Sequence, residues 1–191
     1  MIFSESLDQW LVAAKKYVLA AGISIVACVS PLCAQQDQQL TPPKVEAKVI
    51  FGSAIFGDDT EHKVVGGAVR AYVTRRLSIE PEYLYLWHSD NDQDHLLQPN
   101  VAFDFTDPTK RFVGYGIAGV GVLHHNGRFL SLVTGVPRVI DTSFTTWTAS
   151  VGGGVKIFVT KRLFVSPELR AGREPTVRAT ISVGYVFAGR R

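Results

Sequence analysis

VVGGAVRAYVTRRLSIEPEYLY, residues Val64 to Tyr85, is written a second time in this chain as VGGGVKIFVTKRLFVSPELR, residues Val151 to Arg170. Gly66-Gly67, Val69, Val73-Thr74, Arg76-Leu77, Pro81 and Glu82 return as Gly152-Gly153, Val155, Val159-Thr160, Arg162-Leu163, Pro167 and Glu168. Arg70 and Arg75 return as Lys156 and Lys161, which keeps the charge. Residues alternate on either side of Thr-Arg-Arg and Thr-Lys-Arg, so each copy reads as strand, tight turn, strand. A hairpin repeated at a distance, with alternating strands before, between and after it, predicts one closed sheet built from a simple unit.

Parity gives these strands two unlike faces, because successive side chains of a pleated strand point opposite ways. Leu77, Ile79, Pro81, Tyr83, Tyr85 and Trp87 share one face; Ser78, Glu80, Glu82 and His88 share the other, with Leu84 and Leu86 as apolar exceptions. In the echo, Leu163, Val165, Pro167, Leu169 and Ala171 oppose Ser166, Glu168 and Arg170. The pattern fits a soluble sheet and a membrane barrel alike.

The connections break the tie. Working outward from the repeat gives eight strands: Val45 to Phe56, the two strands of the first hairpin, Gln98 to Thr106, Arg111 to His124, Thr142 to Val159, Leu163 to Gly172 and Thr176 to Phe187. The connections after the second, fourth and sixth are tight. Those after the first, third and fifth are longer and carry the acidic runs Gly57 to His62 and Ser89 to His95 and the apolar stretch Asn126 to Asp141, which either contacts lipid, a ligand or a partner or, the expected case, extends strands five and six. With an even strand number, the tight turns and both chain ends fall at one end of a barrel, as in outer-membrane barrels with short periplasmic turns and longer outer loops.

Composition excludes other classes. Hydrophobic residues make up 46%, with no run that reads as a set of membrane helices, and a net charge of +3 without a basic patch interleaved with aromatics argues against nucleic acid. Met1 to Ala34 reads as an export signal helix: Lys15-Lys16 precede an apolar run from Tyr17 to Val29, and Ala34 precedes Gln35-Gln36. Two other readings of the segment are an uncleaved anchor and a lipoprotein signal ending at Cys28. Both cysteines, Cys28 and Cys33, lie within it, so the exported chain relies on no disulfide. Residues 35–44 form a polar linker, 45–187 the barrel and 188–191 a tail; the roughly 155 residues left after export are enough for one domain.

If the aromatic face meets lipid, Glu46, Lys48, Arg70, Glu80, Glu82, Lys156, Glu168, Arg170 and Arg178 point inward, four acids against five bases. Eight strands enclose a space that side chains fill, and charges there must pair. Arg70 and Glu80 lie equally far from their turn and are expected to neighbour; Lys156 and Glu168 are placed in a similar way. Pro81 and Pro167 cannot donate to a neighbouring strand, and a bulge near the tight turn is expected to absorb each.

These residues carry a resemblance. The signal segment, the two Val-Thr-Arg/Lys-Arg-Leu hairpins with their Pro-Glu, and the last strand, Thr180 to Phe187, resemble the eight-stranded outer-membrane β-barrel proteins of Gram-negative bacteria, the OmpA/OmpX-like class. The resemblance implies an all-β, antiparallel, up-and-down transmembrane barrel in the outer membrane. It implies a monomer, with outer-membrane lipid and lipopolysaccharide around it. It also implies that Tyr185 and Phe187 serve as the signal read by the barrel-assembly machinery, although Ala188-Gly189-Arg190-Arg191 follow where the class commonly ends on the aromatic.

Chemistry beyond the architecture is thin. His62, His88, His95, His124 and His125 map to the outer end with Asp58, Asp59, Asp90, Asp92 and Asp94. Asp90-Asn91-Asp92-Gln93-Asp94 has the opening spacing of a calcium loop but lacks the Gly expected at His95 and the acid expected at Val101. No metal or cofactor is therefore assigned. His88-Ser89, and His124 with Ser131 or Ser143, are nominal groups for lipid A acyl chemistry, and none matches a motif. The expected function is a structural, surface-interaction or membrane-integrity role without catalysis. The alternatives are a lipid-modifying outer-membrane enzyme and a soluble periplasmic lipid-binding barrel with its aromatics inside.

Overall fold

The computed structural model describes residues 41–57, 60–89, 92–133 and 136–190, with backbone alone from 128 to 140. The signal helix and most of the linker lie outside the described residues. Eight antiparallel strands close into one barrel in chain order: β1 Val45–Ile55, β2 Glu61–Tyr72, β3 Leu77–Ser89, β4 Asp92–Asp104, β5 Phe112–Val133, β6 Val136–Phe158, β7 Leu163–Arg173 and β8 Val177–Ala188. β1 and β8 seal the ring, with Val49 opposite Val183 and Ile55 opposite Val177.

The repeated hairpins turn in the same way because the same hydroxyl closes both. Thr74 Oγ1 accepts from the backbone N–H of Arg76 (3.3 Å) and Leu77 (3.0 Å), and Thr160 Oγ1 accepts from Arg162 (3.3 Å) and Leu163 (3.0 Å). Such a turn lets a threonine satisfy backbone donors that the ladder leaves over. The third tight connection is fixed by Asp107, whose carboxylate accepts from the N–H of Thr109 (3.0 Å), the Thr109 hydroxyl (2.8 Å) and Arg75 Nη2 (2.8 Å). Those donors, the Thr109 amide first, hold its carboxyl below the usual carboxylate range.

The expected bulges at Pro81 and Pro167 are absent. Ala68 faces Glu82 and Ala71 faces Ile79 in one hairpin, Gly154 faces Glu168 and Ile157 faces Val165 in the other, so register is unchanged across each proline. The ladder simply skips the missing donors, and on the other side Pro81 lies opposite Pro99, so two residues without N–H share one gap.

The asymmetry between the two ends is one of strand height rather than loop length. Much of what reads as long connections is strand: β3 runs to Ser89, β4 begins at Asp92, and β5 and β6 stay paired as a two-stranded hairpin as far as Val133 and Val136. The apolar alternation from Leu130 to Ile140 thus extends strands. The polar composition of Asp92 to His95 suits a pleat with one face toward a polar mouth and the other toward water. β5 and β6 have 22 and 23 residues, against 11 to 13 for the other six.

Outside, the wall is apolar. Leu97, Val120 and Val151 are 53%, 64% and 63% exposed, with Val49, Ile79, Leu169 and Ile181 beside them. Aromatics flank this band: Phe103, Phe105, Phe112, Tyr185 and Phe187 toward the tight turns, Tyr85, Trp87 and Trp147 toward the tall end. Leu77, Val165 and Ile181 all look outward. A soluble lipid-binding barrel, with aromatics at its centre, is not the arrangement found.

Inside, the lumen is layered. Val113, Phe158, Phe164 and Val186 fill the tight-turn end, charged residues fill the waist, and Ile50, Ala54, Val64, Ala68, Leu84, Leu86, Leu96 and Leu123 fill the upper half. Leu84 and Leu86, the exceptions to strand parity, are thus the inward residues of an upper apolar layer. Glycines make room for such side chains. A Cβ on Gly184 would stand 2.2 Å from Phe164 Cζ, whereas one on outward Gly114 would meet nothing within 4 Å. Gly184→Ala should therefore lower stability by about 1–3 kcal/mol through overpacking, while Gly114→Ala stays within about 0.5 kcal/mol. Urea unfolding of the folded barrel in lipid vesicles, followed by band shift on unboiled gels, measures both.

The chain end is part of the plug. Beyond β8, Arg190 folds under the barrel, its guanidinium 3.3 Å from the Phe158 ring centroid, donating to the carbonyls of Pro108 and Thr109. Its backbone N–H donates to Thr41 O at 2.7 Å. Gly189 has φ +99° and lies so near Pro42 O that a Cβ would come within 2.2 Å of it, so glycine is required on both counts.

Candidate functional site

All nine residues of the expected interior set, Glu46, Lys48, Arg70, Glu80, Glu82, Lys156, Glu168, Arg170 and Arg178, are buried in the lumen, none more than 8% exposed. Inward parity on six neighbouring strands, β6 to β8 and β1 to β3, brings them together at the waist. Glu80 is the hub: it accepts from Arg70 Nε at 2.5 Å, lies 2.9 Å from Lys48 Nζ and 3.7 Å from Arg170 Nη2. Arg170 donates Nε to Glu168 at 2.6 Å, Nη2 to Glu82 at 3.0 Å and Nη1 to Asn100 at 2.9 Å. Arg178 completes the upper rank through Glu82 at 2.7 Å.

The expected pairing of Arg70 with Glu80 is found; that of Lys156 with Glu168 is not. Arg70 and Glu80 sit opposite across β2 and β3, but the register of β6 and β7 sets Ser166 opposite Lys156, because Ser166 occupies the position that Glu80 holds in the first copy. Lys156 therefore crosses the lumen to Glu46 (3.0 Å), approaches Asp104 (3.7 Å) and bonds the Tyr72 hydroxyl. Glu168 turns instead to Arg170, Lys48 (3.5 Å) and the Tyr115 hydroxyl (2.6 Å).

Three members were missed by the sequence reading. Asp104, fully buried, accepts from the Tyr72 hydroxyl at 2.8 Å and brings the acids to five against five bases. Its parity, shared with Asn100 and Ala102, was visible. Tyr72 closes the Lys156 group. Tyr115 lies on glycine-rich β5, where alternation gives no facing, and its ring underlies the Arg70 guanidinium at 4.6 Å. A balanced set of this kind, each charge paired and hydrogen-bonded, can fill a narrow lumen without stranded charge.

The five histidines are at the tall end as expected, but they divide. His88 Nδ1 donates to Glu61 O (2.8 Å), and His95 Nδ1 shares a hydrogen bond with the Tyr83 hydroxyl (2.7 Å) and His124 Nδ1 with Thr145 Oγ1 (2.9 Å), all in exposed settings. These three contacts do not involve Ser143; the Ser131 side chain lies outside the described residues. His62 and His125 turn into the mouth, where Asp92 and Asp94 lie. Of the Asp90 to Asp94 run, Asp92 and Asp94 are two positions apart on β4 and share its inner face. Tyr185 and Phe187 are outward and 5.2 Å apart in an edge-on pair, and the Tyr185 hydroxyl accepts from Arg162 at 3.3 Å.

No family profile matches the chain, and no curated protein is similar to it in sequence. Solved structures are similar in fold. The N-terminal β-barrel domain of Pseudomonas aeruginosa OprF aligns with TM-score 0.56 and 19% identity, covering 76% of this chain and 98% of that one. Neisserial surface protein A aligns with TM-score 0.57 and 15% identity, covering 75% and 96%. The chain therefore has the fold of the small eight-stranded outer-membrane barrels: a closed, antiparallel, all-β ring.

Proposed function

We propose that this protein is an integral outer-membrane barrel, exported by residues 1–34, that holds the β5–β6 hairpin above the bilayer in a structural or surface-interaction role without catalysis. The hairpin carries this reading. β4 ends its pairing with β5 at Gly127 and β7 ends its pairing with β6 at Ala149, yet β5 and β6 stay paired to Val133 and Val136. At roughly 3.3 Å per residue, the hairpin rises about 20 Å past the end of β4. A closed lumen supports an anchor better than a channel, since apolar layers lie above and below the charged waist. Lipid and lipopolysaccharide surround the apolar band, and the barrel-assembly machinery reads Tyr185 and Phe187; the protein acts as a monomer.

Cysteine labelling with a membrane-impermeant maleimide tests this. Ser143→Cys, on the exposed hairpin, should label in intact cells, whereas Arg75→Cys, at a tight turn, should label only after the outer membrane is ruptured. Labelling of Arg75→Cys but not Ser143→Cys in intact cells would reverse the orientation. Loss of both from the outer-membrane fraction would remove the assignment.

A further inference from the structure

We infer that the outer mouth of the barrel holds a divalent transition-metal ion of the zinc type, bound by His62, Asp92 and Asp94 and supported by His125. His62 Nε2 on β2 stands 3.2 Å from Asp92 Oδ2 and 3.6 Å from Asp94 Oδ2 on β4. The three ligand atoms lie within 4.8 Å of one another. Bonds of about 2.0–2.2 Å to a tetrahedral zinc set neighbouring ligand atoms roughly 3.3–3.6 Å apart, so the observed spacings need little adjustment. An imidazole with two carboxylates is a donor set suited to such a metal rather than to calcium, which takes oxygen alone.

The second observation is that His62 has nothing else to do. It is 4% exposed, packed on Phe56 at 4.6 Å between ring centroids, and neither ring nitrogen makes a hydrogen bond. Its Nε2 faces the carboxylates without making a hydrogen bond to either, and Asp92 Oδ1, 3.7 Å from His125 Nδ1, makes none either. A buried imidazole normally satisfies at least its N–H; one aimed at two acids with no hydrogen bond is arranged as a ligand. His125 Nδ1 meets Asp94 Oδ1 at 2.6 Å and so orients that carboxylate, the support that metal ligands commonly have from their neighbours. The ion would fasten β2 to β4 over the top of β3, and β5 through His125.

The test uses the folded, untagged, full-length barrel in detergent, stripped with chelator. Zinc titration by calorimetry should show one ion per barrel, and zinc but not magnesium should raise the temperature at which the compact band is lost on unboiled gels. His62→Gln and Asp92→Asn, each confirmed folded by the same band shift without metal, should weaken binding at least tenfold, and exposed His88→Gln should not. Should His62→Gln fail to fold, Asp92→Asn, on a partly exposed side chain, decides alone. Failure of the wild-type barrel to take up stoichiometric zinc, or equal affinity in Asp92→Asn, would overturn the site; so would loss with His88→Gln alone. None of these outcomes depends on which way the barrel faces in the membrane.

Discussion

Glu80→Ala is expected to lower the unfolding free energy of the barrel by about 3–5 kcal/mol, the cost of stranding buried charge. Glu80 is fully enclosed and faces Arg70, Lys48 and Arg170 within 3.7 Å. Removing it leaves nine charged lumen residues, five cations facing four anions. Arg75→Ala provides the contrast. Arg75 also makes a 2.8 Å pair, with Asp107, but the side chains are 59% and 32% exposed, and a pair of that kind contributes about 0–1 kcal/mol. Urea titrations of vesicle-embedded protein measure both. Should the two variants differ by less than about 1 kcal/mol, the waist would be wet and the plug reading wrong. Arg70→Ala with Glu80→Ala together should cost less than the sum of the single losses, because each removal relieves the other.

Leu97→Arg should cost about 2–4 kcal/mol in a bilayer, the penalty for a cation near the midplane on the lipid face of a barrel. Leu97 lies near the middle of β4, points outward and is 53% exposed. In water, an arginine at a half-exposed strand position changes stability by about 0.5 kcal/mol or less. The same substitution therefore separates hydrocarbon from solvent outside the wall. A stability equal to wild type in vesicles would place water there. Refolding into vesicles, with the fraction of compact band read against urea, supplies the comparison.

The waist was legible because strand parity has period two: Glu80 and Arg170 could be placed from the repeat, and Glu46 and Lys48 from the alternation of the first strand. What parity cannot supply is partners. Lys156 was matched to Glu168 because the two copies look alike, but their lumen positions are not all alike, and where Glu80 becomes Ser166 the exchange redirects both charges across the ring. Tyr115 was unreadable for another reason, since glycine on β5 removes the alternation that assigns faces. The mouth was misread through composition. Asp92, Gln93, Asp94 and His95 look like a solvated loop, yet a strand whose inner face borders a polar mouth carries the same residues, and only the pairing of Leu86 with Asp94 and of Asp94 with His125 distinguishes the two.

The seam between β1 and β8 has a consequence for how the protein comes into being. Val45 pairs with Ala188, so the ring shuts only when the first and last portions of the domain meet. Until then both margins would carry rows of backbone amides and carbonyls that oil cannot solvate. On the proposed membrane location, no half of this chain would therefore rest in a bilayer as a stable fragment, and insertion and closure would be completed together.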